Sequence, residues 1–135
     1  MPAILEHLKD HAVQYRSKKI LYYDDEAEGF ITRLINDHLV LVCCHDGIIV
    51  GLISGMIMPH AYTSRIKTLV ENFWWVTEEY RNTKAASLLL NEFIRYGRQN
   101  VDWIVCATQA DGTLKDQSFI RKGFVLKEKS FLMEV

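Results

Sequence analysis

LVENFWWVTEEYRNTKAASLLL, residues 69–90, decides how the rest of the chain is read. Residues 69–76 are mostly apolar, β-branched or aromatic, which is the composition of a strand. Thr77–Thr83 is a polar turn. Ala85, Leu89, Phe93 and Ile94 then recur on one helical face, which predicts a helix over Ala85–Gly97. Where a strand runs through such a turn into a helix, the first backbone N–H groups converge. With the helix dipole they make an anion site. Arg81 and Lys84 add positive charge there. Ala85 and Ala86 lack bulk, so a phosphate can approach the backbone, and pyrophosphate is the natural guest. Ser87 is placed either to bond a phosphate or to sit on the helix surface. A plain strand–helix connection with exposed charges fits the same residues.

Upstream, Ile4, Leu5, Leu8 and Val13 predict a helix over residues 3–16. Ser17–Tyr23 reads as polar, then extended. Phe30, Ile31, Leu34 and Ile35 predict a second amphipathic helix over Asp24–Asp37, with Asp24 or Asp25 as N-cap. Leu39–Cys44 and Ile48–Met58 are two apolar runs joined through Asp46-Gly47, a hairpin signal. Pro59–Ser64 reads as a loop and Ile66–Val76 as a third strand. Downstream, Val101–Ala107 is almost continuously apolar, as suits a strand covered on both faces. Asp111-Gly112 is a turn, Leu114–Lys122 a short helix ending at Gly123, and Phe124–Lys127 and Ser130–Glu134 are two terminal strands. The order αα-βββ-α-β-α-ββ predicts one α/β (α+β) domain with a mixed sheet.

The 135 residues suffice for one domain with a real core. Hydrophobic residues make up 49%, which excludes an intrinsically disordered chain. With 16 Lys+Arg against 17 Asp+Glu, nothing suggests a bulk nucleic-acid binder. Cys43, Cys44 and Cys106 are odd in number and lack metal-ligand spacing, so they read as reduced core thiols of a cytoplasmic protein. Residues 1–15 carry charges where a secretory signal would be apolar, and Gly47–Pro59 is too short to span a membrane.

The stretch Val76–Leu90 resembles the acetyl-CoA-binding motif of the GNAT superfamily of N-acetyltransferases. That motif is a Val-x-Pro-Glu-Tyr-Arg turn, then Arg/Gln-x-x-Gly-x-Gly/Ala and a leucine-rich helix. Arg81 and Ala86 match its first and last positions. Glu78 stands where the family usually has proline. Lys84 stands where it usually has glycine, and either donates to a phosphate or blocks the close approach that glycine permits. Ser118–Phe124 is similar to the family's Tyr-x-x-x-Gly-Phe, and the element order fits over nearly the whole chain. Glu71-x-Phe73-Trp74-Trp75-Val76 further resembles small phage-type members.

The resemblance implies the GNAT fold, with a mostly antiparallel sheet, a splayed parallel strand pair and flanking helices. It implies acetyl-CoA as cosubstrate and transfer of its acetyl group to a primary amine of a small molecule or protein. Backbone groups around Trp74, Trp75 and Val76 would bond the pantetheine arm. The N–H groups of Arg81, Asn82, Thr83, Lys84, Ala85, Ala86 and Ser87 would hold the pyrophosphate. The Val76 N–H would stabilise the oxyanion. The family's usual acid, a tyrosine, is here Phe119, which has no hydroxyl; Tyr80, Tyr62 or water are the substitutes. An acyl-CoA-binding or interaction module with a degenerate active site competes with the enzyme reading. A homodimer through the terminal strands suits either.

Glu71 is the candidate base, because burial beside the aromatic cluster would raise its pKa. An edge carboxylate paired with an arginine is the alternative. Strand parity puts Glu71, Phe73 and Trp75 on one face and Asn72, Trp74 and Val76 on the other, unless a bulge resets the register. His38, His45 and His60 read as solvated, with His60 nearest the expected acceptor side.

Overall fold

The computed structural model describes residues 1–14, 24–108 and 116–135. The expected extended stretch at Ser17–Tyr23 and the turn at Asp111-Gly112 fall outside these residues. Two helices come first, α1 (Pro2–Gln14) and α2 (Asp24–Asp37). Proline suits the first helical position, where its missing N–H has no intrahelical partner to lose. The hairpin follows as β1 (Leu39–His45) and β2 (Ile48–His60). Its turn needs left-handed backbone at both central residues, and Asp46 (φ 50°) and Gly47 (φ 78°) supply it. β3 (Thr63–Val76) begins earlier than the sequence suggested, so the Pro59–Ser64 loop shrinks to a tight hairpin turn. A 3₁₀ turn (Glu78–Tyr80), α3 (Ala85–Asn100), β4 (Trp103–Val105) and α4 (Asp116–Ile120) complete the described elements.

The sheet order is β1-β2-β3-β4, with β3 and β4 parallel and the other pairs antiparallel. Each face carries its own core. Ile4 and Leu8 of α1 and Ile31 and Leu34 of α2 pack with Leu52 on one face. Leu89, Leu90 and Phe93 of α3 pack with Ile53 and Leu69 on the other. Adjacent strand residues point to opposite faces, so Leu52 and Ile53 anchor both layers. Each such fully buried side chain contributes roughly 1.5–3 kcal/mol. Ile35, expected on the buried face of α2, is half exposed.

Three expectations are corrected. First, the parity of β3 breaks at a bulge: Gly55 opposes Glu71 and Ser54 opposes Phe73, leaving Asn72 without an opposite number. Phe73 therefore joins the α1/α2 side, and Leu69, Trp74 and Val76 all join the α3 side. Glu71 shares a face with Trp74, not with Phe73 and Trp75, because it pairs with Gly55 on the α3 side. Second, β4 is short and one-sided. Ile104 packs towards α3, while Trp103 and Val105 are about half exposed. An apolar run shows burial preference but not which faces are covered, and among the described residues α1 and α2 make their main contacts with the first three strands. Third, among the described residues 124–135 belong to no strand. Phe124 packs edge-on against Phe119, and beyond it Phe131, Leu132 and Met133 are exposed. Strand propensity is expressed only where a partner edge receives it.

Gly55 lies where a Cβ would come within 2.8 Å of Leu69 and of the buried Phe93 ring. Gly55→Ala overpacks this layer and is expected to cost about 1–3 kcal/mol. Urea unfolding checks it, as a lower midpoint with unchanged slope.

Candidate active site

The site is built where β3 outlives its parallel partner. β4 pairs with β3 only from Thr68–Trp103 to Val70–Val105, while β3 continues to Val76. The bulge sits at this point, and a bulge bends the strand that carries it. The Thr77 N–H donates to the Val50 carbonyl at 2.9 Å. In an antiparallel ladder, bonded and non-bonded pairs alternate. The Leu52–Trp75 pair therefore shares bonds, and the polar groups of Trp74 and Val76 turn toward the side where β4 has ended. Of the three residues expected to bond a ligand through the backbone, Trp75 is thus committed to β2.

The turn after β3 is held by its own side chains. Arg81 folds back: its Nε donates to the Val76 carbonyl at 3.0 Å, and its guanidinium stacks 4.4 Å above the Trp75 ring. The residue expected to face an anion is an internal brace of the turn. The Thr83 hydroxyl donates to the Tyr80 carbonyl at 2.6 Å and accepts from the Ala85 N–H at 3.3 Å. Lys84 occupies the N-cap of α3 with φ −73° and makes no side-chain cap bond. That backbone is ordinary right-handed geometry, so a lysine fits without strain where a glycine was expected. Asn82, Thr83, Lys84 and Ser87 are exposed, Ala86 is partly so and Ala85 is buried. The first turn of α3 thus opens to solvent without a side-chain cap at its N-cap.

Glu71 projects on the α3 face, beside the gap. Burial pushes its carboxyl up from 4.5 to about 7. No arginine pairs with it, so the edge ion-pair alternative fails among the described residues. Val70 opposes Val105, so the next residue, Cys106, comes beside Glu71 just past the end of β4. Burial, and then the Glu71 charge, push the Cys106 thiol up to about 12. Cys106 was legible in the sequence only as a core thiol. The register of β4 reveals its neighbour. The Asn72 Oδ1 and Trp74 Nε1 atoms are buried without a hydrogen-bond partner among the described residues.

Phe119 of α4 is buried and meets Trp74 edge-on, with centroids 5.9 Å apart. Tyr62 is fully exposed at the start of β3, the end opposite the gap, and so is no substitute acid there. Tyr80 lies in the turn, its ring near His45. His38 and His60 make structural contacts. His38 Nδ1 accepts the Ile57 N–H at 3.1 Å, and His60 accepts the Tyr62 N–H while its ring meets Trp103. His7, not singled out in the sequence, is buried with Nε2 at 3.0 Å from the Ile49 carbonyl. Among the described residues no cluster of metal-ligating side chains forms, and no helix is long and apolar enough to cross a membrane.

A parallel strand pair that splays beside a strand–turn–helix is the arrangement of an acyltransferase, and the comparisons agree. The family model for the acetyltransferase (GNAT) family matches residues 2–124. The chain belongs to the GNAT acetyltransferase family and is an N-acetyltransferase of that fold. Solved structures share the fold at low identity. A Trypanosoma brucei acetyltransferase superposes with TM-score 0.72 at 18% identity, covering 99% of this chain and 92% of its own. A ribosomal-protein-alanine N-acetyltransferase from Brucella melitensis biovar Abortus 2308 gives 0.76 at 15%, covering 98% and 90%. An aminoglycoside acetyltransferase from an uncultured soil metagenomic sample gives 0.68 at 14%, covering 99% and 87%. No curated protein sequence matches the chain.

Glu71 also makes a stability prediction. Its carboxyl titrates near 4.5 when unfolded and near 7 when folded, so the native state holds the proton more tightly. Its contribution is fully present below pH 4.5 and is lost as pH rises through 7. Urea unfolding from pH 4 to 8 should show this decline in the wild type and lose that component in Glu71→Gln.

Proposed function

We propose that this chain transfers the acetyl group of acetyl-CoA to a primary amine of a small molecule or protein, by direct attack in a ternary complex. The observation that carries the reading is the half-buried Glu71 carboxyl, titrating near neutrality beside the gap between β3 and β4. Such a group is half ionised at working pH and can both take and release a proton.

The donor set suits acetyl-CoA. Beyond the Ala85 N–H, which Thr83 takes, the first turn of α3 has N–H groups with no cap from Lys84, a positive dipole end and the exposed Lys84 side chain, which together favour a pyrophosphate. Asn82, Thr83, Ala86 and Ser87 border it. The main-chain groups of Trp74 and the Val76 N–H suit an extended amide arm laid along β3 like an added strand. Arg81 serves by bracing this turn, and its bond to the Val76 carbonyl leaves the Val76 N–H as the group aimed into the gap. The unpartnered Asn72 Oδ1 and Trp74 Nε1 are further polar atoms that a ligand would satisfy.

Acetyl-CoA, when bound, supplies an activated thioester carbonyl with a thiolate that leaves readily. The attacking amine must be neutral. Glu71 takes its proton as the new C–N bond forms and the C–S bond breaks. The Val76 N–H donates to the carbonyl oxygen as negative charge builds there. Phe119 has no proton to give, so departure of the thiolate proceeds without the family's usual tyrosine acid, and Tyr80 or water serves in its place. The fold neighbours are named for aminoglycoside and for ribosomal-protein acceptors, and a primary amine is what the two kinds of acceptor share.

Calorimetry with acetyl-CoA should show micromolar binding. Ala86→Glu should weaken it at least tenfold, because a carboxylate fills the anion position while suiting the helix dipole. Absence of binding by the wild type at millimolar acetyl-CoA defeats the reading. At saturating acetyl-CoA, Glu71→Gln should slow transfer roughly 10²–10⁴-fold. In the wild type kcat/KM should fall below pH 7 as Glu71 protonates, and that limb should vanish in the variant. An unchanged rate removes Glu71 from the role of base.

A further inference from the structure

Glu71 of β3 and Cys106, the residue that follows β4, come together where the β3–β4 ladder stops, with Cys106 packed half-buried against the α3-side core. A buried carboxylate ordinarily finds a strong donor: a guanidinium, an ammonium, a hydroxyl or several backbone N–H groups. Here its neighbour just past the end of β4 is a thiol, a weak donor. The remaining surroundings supply little more. From β2 the opposing residue is Gly55, which brings no side chain. From α3, Leu89, Leu90 and Phe93 pack on this face, and Phe119 comes from α4. Of the partly buried hydrophobic residues packed against the same cluster, Cys43, Tyr80, Tyr96 and Cys106 itself are ionisable.

We infer that Cys106 is a positioning residue for Glu71: a soft, weakly donating wall that holds the carboxyl at the gap without stabilising its charge, and so sets the pH at which Glu71 accepts a proton. The functional half of this inference rests on the reading of Glu71 as base. The influence is mutual, because burial first, and then the carboxylate, keep the thiol protonated. Cys106 is therefore a poor nucleophile at neutral pH and acts as a small, polarisable filler. A serine would keep the shape but place a stronger donor against the carboxylate, favouring its charged form. A valine would keep the site apolar.

The test compares wild type, Cys106→Ser, Cys106→Val and Glu71→Gln. The Glu71 carboxyl is followed by carbon-13 NMR across pH 4–9, assigned by its loss in Glu71→Gln. Cys106→Ser should lower the midpoint by about one pH unit, and Cys106→Val should leave it near the wild-type value. The acidic limb of kcat/KM should move with the NMR midpoint in Cys106→Ser. Alkylation of Cys106 by iodoacetamide, mapped by peptide mass spectrometry to separate it from Cys43 and Cys44, should be several-fold faster in Glu71→Gln. An unchanged midpoint in Cys106→Ser overturns the inference, as does an unchanged alkylation rate in Glu71→Gln. If the midpoint moves in Cys106→Ser while Glu71→Gln keeps full activity, the control of Glu71 by Cys106 stands and the base reading alone falls.

Discussion

Everything distinctive in this molecule follows from the early end of one parallel ladder. β3 and β4 pair only as far as Val70 and Val105. Had the pairing continued, the main-chain groups of Trp74 and Val76 would have been consumed by β4. Glu71 would have been one more strand residue beneath a helix. Because it stops, a length of β3 is left with hydrogen-bonding groups on one side and α3 beginning just beyond its end. The gap is kept in shape from its far side by Arg81, whose bond to Val76 and stacking on Trp75 tie the turn to the strand.

Burial then gives this opening its chemistry. The α3 face is lined by Leu69, Leu89 and Phe93, so a carboxyl that enters it loses water without gaining a cation. A residue that would be a spectator on the surface becomes a proton acceptor near neutrality. Energetically this is a cost to folding above neutral pH, accepted at one carboxyl packed against an apolar layer.

The sequence made much of this readable, and the reasons are local. Asp46-Gly47 announces the β1–β2 hairpin because few residue pairs tolerate its backbone. The α2 and α3 faces are written in apolar periodicity, and the strand–turn–helix of residues 69–90 is where expected. What was not readable depends on partners distant in sequence. The Asn72 bulge is a property of the pairing with Ser54 and Gly55, and no residue type in β3 marks it. Arg81 looked like an anion ligand because charge and position are visible in a sequence, whereas the direction of a side chain is not. Cys106 acquires meaning only once β4 is set beside β3. The terminal segment has strand composition, yet composition does not supply an edge to bind.

Asn72 has one more property. Leu69 and Glu71 before it, and Trp74 and Val76 after it, all serve the same layer. Excise Asn72 and the alternation along β3 becomes regular, with every core residue still facing its own side. For the packing of the sheet the residue is therefore surplus. It is an insertion whose geometrical effect is to bend a strand away from its neighbour. Scaffold and gap are separable at this point: a shorter chain would keep the scaffold and gain a tidier ladder, at the loss of the opening beside Glu71.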